Sequence, residues 1–137
     1  MSRTKLRNSA MTILYQIYLY KKNNINYDLD EVINSNIEEG EDLTYLKNII
    51  LGELDHEEEI EQLANKYLDG WKLERLGLTD QAIIRIAIYE LLYTDTPNKV
   101  CIDEAIELAK KYSDDAVVKM INGILDKVYH NEAKNAE

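Results

Sequence analysis

The chain has 137 residues with 26 acidic and 16 basic side chains, a formal net charge of −10, 45% apolar residues, ten Tyr, one Trp and no Phe. That length fits one domain, residues 1–137, which buries roughly two thirds of its unfolded surface, and an acidic balance of this size repels nucleic acid except at a local basic patch. The lone Cys101 excludes an internal disulfide and a Cys-based zinc site, and no run of about 18 apolar residues or signal-peptide start occurs, so the expectation is a soluble, cytoplasmic protein.

Helical spacing dominates and no clear alternation of the strand type is present, so the expected fold class is all-α. The first helix is predicted over about Arg3–Lys22, with Leu6, Ala10, Ile13, Leu14 and Ile17 as one core stripe. Arg3, Arg7, Met11 and Tyr18 fall on one flank of that stripe, and Lys5 projects on the other side. A shorter helix covers about Asp28–Asn36, with Leu29, Val32 and Ile33 inward. The acidic stretch around Gly40 breaks the chain. A third helix runs from about Asp42 to Leu54 and either continues into, or bends before, a segment carrying Ile60, Leu63, Ala64 and Tyr67. Asp69-Gly70 ends that segment, and Trp71–Gly77 forms a turn or a single helical turn.

Thr79 is the expected N-cap of the next helix, with Asp80 at its positive end. The following DQAIIRIAIYELLY is apolar nearly all round and should be the buried central helix. Pro97 breaks it. IDEAIELAKKY makes another helix, with Ile102, Ala105, Ile106 and Ala109 inward. Ser113 or Asp114 caps the last helix, which carries Met120, Ile121, Ile124, Leu125 and Val128. Residues 130–137 form a polar tail expected to fray.

Charge is distributed unevenly. The first 27 residues hold Arg3, Lys5, Arg7, Lys21 and Lys22 and no acid, whereas every acid lies from Asp28 onward. Such asymmetry points to two surfaces with different partners, one able to meet phosphate and one suited to a basic protein.

Catalytic patterns are nearly absent. The five Gly are scattered, with no phosphate-binding loop and no G-x-S-x-G. Cys101 has only His56 and His130 as possible bases, and nothing in the sequence places either beside it. Glu53 and His56 form one Glu-x-x-His, but a di-iron bundle needs two, and Lys127 precedes His130 at the matching position. The run His56–Glu59 reads as a solvated helix face, and paired acids such as Glu38/Glu39 and Asp114/Asp115 read as caps and loops. No enzyme activity, cofactor or metal is expected.

LTDQAIIRIAIYELLY, PNKVCIDEAIELAKKY and KMINGILDKV, in this order and spacing, together with RTKLRNSAMTILYQ at the start and LGELDHEEEIEQLANKYLDGWKLERLG in the middle, resemble the NusB family of bacterial transcription antitermination factors over essentially the whole chain. The resemblance implies an all-α fold of about seven helices and no catalysis. It implies binding of boxA RNA, a single-stranded element of nascent ribosomal RNA transcripts, as a heterodimer with the ribosomal protein NusE, within a complex that carries RNA polymerase past terminators. Some relatives self-associate, so a homodimer of the free protein is a further expectation.

By the same resemblance, Arg3, Lys5 and Arg7 fall on the family's basic motif, with Thr4 where many relatives have another Arg. Tyr15 matches a position at the junction of NusE and RNA. Asp80 matches a partner-contact acid, and Glu74 an acid near the RNA. Arg85 either pairs with acids of the fold or faces the partner. Lys119 matches a basic position of the last helix, but Ala116-Val117 and Met120 replace the Asp-Ser and Phe common around it. Asn122-Gly123 is expected to mark a tight helix crossing, because a mid-helix Gly costs roughly 1 kcal/mol against Ala.

Overall fold

The computed structural model describes residues 2–38, 40 and 42–133; Glu39 of the acidic break and residues 134–137 of the tail lie outside it. Among the described residues there are seven α-helices and no strand. Helix α1 (Arg3–Lys22) starts where the Ser2 hydroxyl accepts the Lys5 N–H at 3.1 Å, and it stops at Asn23, whose side-chain amide donates to the Leu19 carbonyl. Its predicted stripe is buried, and Arg7, Met11 and Tyr18 are buried with it.

Asp28 caps α2 (Leu29–Ser35) and Asp42 caps α3 (Leu43–Asp55), each accepting a backbone N–H three residues on. The chain then bends rather than continuing straight. His56 takes φ −112°, ψ 20°, and α4 (Glu57–Tyr67) follows. Gly70, at φ +77°, supplies the left-handed turn expected after Asp69. A single 3₁₀ turn, Leu73–Arg75, comes next, its entry held by the Asn65 side chain accepting the Leu73 N–H at 2.7 Å.

Helix α5 (Leu78–Tyr93) is the central element: every side chain from Gln81 to Leu91 is buried. It starts two residues earlier than Thr79 predicts, with Gly77 at the cap. The Gln81 amide explains the shift, since it donates to the Leu76 and Glu74 carbonyls and closes the preceding turn itself. Helix α6 (Asn98–Tyr112) likewise begins earlier than predicted, directly after Pro97, whose fixed φ of −55° suits a helix entry. Asp114, not Ser113, caps α7 (Asp115–Val128). Helices α1, α3, α4, α6 and α7 all pack on α5, and one apolar cluster runs through the whole arrangement. None of the described helices is long and apolar enough to cross a membrane.

Two expectations change. Residues 130–133 of the tail expected to fray lie in a π-helical turn, Tyr129–Ala133, with Ala133 buried. Glu132 holds it by accepting from Tyr67 at 2.5 Å and pairing with Lys66 at 3.1 Å. The tight crossing expected at Gly123 lies elsewhere. A Cβ on Gly123 would meet nothing within 4 Å, whereas one on Gly52 of α3 would lie 2.2 Å from Cζ of Tyr89 on α5. Moving Tyr89 aside would disturb its stacking on Tyr93 and the bond that its hydroxyl donates to Asn48.

Gly52→Ala is therefore expected to lower stability by about 1–3 kcal/mol through overpacking, while Gly123→Ala should raise it by about 0.5–1 kcal/mol through helix propensity. Urea unfolding of both variants measures this, and equal midpoints for the two would refute the close contact at Gly52.

Candidate nucleic-acid interface

Among the residues expected to meet RNA, Arg3 and Lys5 project from the first turn of α1 and are exposed. The Arg3 guanidinium lies over the Tyr45 ring, 3.8 Å from its centroid, and Lys5 pairs with Glu38 at 2.8 Å. Both partners of that pair are well exposed, so it contributes about 0–1 kcal/mol and yields readily to a competing anion. Thr4 donates its hydroxyl to Glu104 at 2.5 Å.

Arg7 differs from expectation. It is 3% exposed, and its guanidinium makes a two-pronged pair with Glu90 of α5, Nε to Oε1 at 2.7 Å and a terminal nitrogen to Oε2 at 2.9 Å. Its other terminal nitrogen reaches Glu104 at 3.3 Å. The reason lies in helix register: Arg7 sits one position beyond Leu6 on the buried face, and the carboxylate it needs arrives from α5. The Tyr45 hydroxyl donates to Glu90 at 3.1 Å and the Thr96 hydroxyl donates to it at 3.3 Å, so the carboxylate is fully engaged. Burial pulls the Arg7 pKa down, but the hydrogen bond and charge of Glu90 outweigh it, and the guanidinium is held above its ordinary value. Burial, with Glu90 behind it, also pushes the Cys101 thiol up to about 12, so it stays protonated at neutral pH and is no nucleophile.

Arg85 meets acids of the fold, the first of its two alternatives. It is 2% exposed, stacks on the Tyr18 ring at 4.2 Å and lies 3.6 Å from Glu53 and 3.5 Å from Glu61. Glu53 is fully buried and accepts the Tyr18 hydroxyl at 2.7 Å. Burial raises the Glu53 pKa against the opposing pull of Tyr18 and Arg85. The Glu53/His56 pair considered for a metal is thus divided. Glu53 faces Tyr18 and Arg85, while the His56 ring stacks 4.0 Å from Tyr93 and its Nδ1 is bonded to the Gly52 carbonyl.

The remaining candidates are spread over the surface. Glu74 shares a depression of about 450 Å³ with Arg75, Lys21, Lys22 and the edge of Arg85. Asp80 is half-buried and accepts the Ser113 hydroxyl. Tyr15 is 38% exposed, and Lys119 is exposed on α7 beside Ala116. Neither lines the groove at the start of α1. That groove, about 650 Å³, runs between the start of α1 and the end of α6 and is lined by Thr4, Lys5 and Asn8 on one wall and Glu104, Lys110 and Lys111 on the other. Sequence reasoning brought Lys5 here but missed the α6 wall, although the Lys-Lys-Tyr ending of that helix was a readable basic and aromatic signal.

A basic helix start beside an amphipathic groove, on an all-α bundle, accords with the comparisons. The sequence model of the NusB family matches residues 4–130. The chain belongs to the NusB family. A transcription antitermination protein NusB of Clostridium perfringens is 39% identical over 133 residues, covering 96% of this chain and 98% of that protein. The solved NusB of T. maritima superimposes with a TM-score of 0.87 at 31% identity, covering 99% of this chain and 96% of that one. A structure of antitermination factors NusB and NusE in complex with double-stranded RNA matches with a TM-score of 0.77 over 95% of this chain and 98% of that one; at 24% identity it shows the shared fold. NusB-family proteins are transcription antitermination factors, and the chain is one of these rather than an enzyme.

Arg7→Ala is expected to cost about 3–5 kcal/mol of stability, because it strands the Glu90 carboxylate in the core, whereas Arg3→Ala should cost under about 1 kcal/mol. Chemical denaturation separates the two, and an Arg7→Ala variant as stable as Arg3→Ala would show that the pair does not hold α1 to α5.

Proposed function

We propose that the chain binds boxA RNA of nascent ribosomal RNA transcripts in the cytoplasm as a heterodimer with NusE, within the complex that carries RNA polymerase past terminators. The observation that carries this reading is the exposed, acid-free start of α1, where Arg3 is exposed and Lys5 lines a groove on an otherwise acidic, NusB-family chain. A chain of the same fold solved with NusE and RNA supports it. Arg3, Lys5 and Lys119 would contact phosphate, with Tyr15 and Glu74 at the edge of the RNA path and Tyr15 and Asp80 toward NusE. Arg7 and Arg85 would serve the site only by holding α1 and α5 in place.

Three cations make a weak site on their own. Neutralising one phosphate of a single strand contributes a salt slope of only about −0.7, so a surface shared with a basic protein is a physically sensible requirement, and the acidic body suits such a partner. A second reading, a helical adaptor with little specific RNA affinity, draws on the burial of Arg7 and on Ala116-Val117 standing where relatives often carry Asp-Ser. Self-association of the free protein would compete with either.

Fluorescence anisotropy of labelled boxA RNA, titrated with the protein alone and with NusE, against a scrambled RNA, decides between the two. The expected result is boxA-selective binding strengthened by NusE, with a salt slope smaller by about 1.4 in the Arg3→Ala/Lys5→Ala double variant. Binding indifferent to sequence and to NusE would favour the adaptor.

A further inference from the structure

Tyr112, the last residue of α6, is 44% exposed. An aromatic ring left in water forgoes burial worth about 1.5–3 kcal/mol for a large apolar side chain, yet this ring is held in place. Its hydroxyl donates to Asn8 of α1 at 2.8 Å, and the Lys111 ammonium lies 5.3 Å from the ring centroid. Asn8 and Lys111 both line the groove between α1 and α6, so the ring stands at its rim. The groove's acids are already engaged: Glu104 by Thr4 and Arg7, and Glu107 by Lys110 at 3.5 Å.

We propose that Tyr112 is a stacking platform for an unpaired RNA base, with Lys111 placed to meet the adjoining phosphate. This rests on the RNA-binding reading above and adds to it a residue that stacks on a base. Every base presents a π-face, so an anchored aromatic beside a cation binds single-stranded RNA with little dependence on sequence. Charge selects the occupant. Lys5, Lys110 and Lys111 outnumber Glu104 and Glu107 in this groove, which favours an anionic strand over a basic protein such as NusE.

The test is anisotropy with labelled boxA RNA, NusE present, over a salt series. Tyr112→Ala is expected to weaken binding by about 5- to 100-fold with the salt slope unchanged, and Lys111→Ala to reduce the slope by about 0.7. Tyr112→Phe, which keeps the π-face but loses the bond to Asn8, should bind more tightly than Tyr112→Ala, whereas Tyr112→Leu, which keeps apolar bulk without a π-face, should behave like Tyr112→Ala. Wild-type affinity in Tyr112→Ala, or rescue by Tyr112→Leu, overturns the stacking role while leaving the boxA reading intact. Failure of the wild-type protein to bind boxA RNA overturns both.

Discussion

The Glu90 carboxylate is the point on which the arrangement of helices depends. Buried on the central helix α5, it accepts from Arg7 on α1, Tyr45 on α3 and Thr96 in the loop before α6. A carboxylate out of water is costly unless nearly all its lone pairs are used. Here that condition is met only if α1, α3 and the α5–α6 loop stand in one relative register. The pair therefore acts less as a source of net stability than as a constraint, since a slip of any of these elements strands a charge.

A second buried centre repeats the scheme with the roles permuted. Around Glu90, α1 gives the Arg, α3 the Tyr and α5 the acid. Around Glu53, α1 gives the Tyr, α3 the acid and α5 the Arg. The two centres tie the same three helices, separated along α1 by the eleven positions from Arg7 to Tyr18. The second is less complete. Nε and one terminal nitrogen of Arg85 have no hydrogen-bond partner, and Glu53 sits 3.6 Å away. Its looser geometry, beside a surface depression, contrasts with the closed pair at Glu90.

Fixing α1 this way divides its basic residues by function. Arg7 is spent inside, while Arg3 and Lys5, earlier on the same helix, are carried to the surface, Lys5 into the α1–α6 groove. The same register brings Asn8 against Tyr112, so a ring from the end of α6 is pinned beside the cations of α1. A local positive surface on a chain of net charge −10 follows from that placement, and its strength is set by short-range geometry rather than by the overall charge, which is screened within about 10 Å at moderate salt.

Periodicity, capping residues and breakers were enough to place the helices, because each depends on neighbours within a few positions: the Leu6–Ile17 stripe, the Asp28 and Asp42 caps and the Pro97 break are all local. The uneven charge and the family motifs were equally legible, so the all-α class and the basic start of α1 came from sequence alone. What tertiary structure decided is which charges are inside. Arg3 and Arg7 are alike in sequence and lie on one flank of one helix, yet one is exposed and the other is buried against Glu90, 83 positions away. The close crossing moved from Gly123 to Gly52 because only packing brings the Tyr89 ring there. Hydrogen bonds and desolvation act over a few ångströms between residues distant in the chain, and no local pattern records such a meeting.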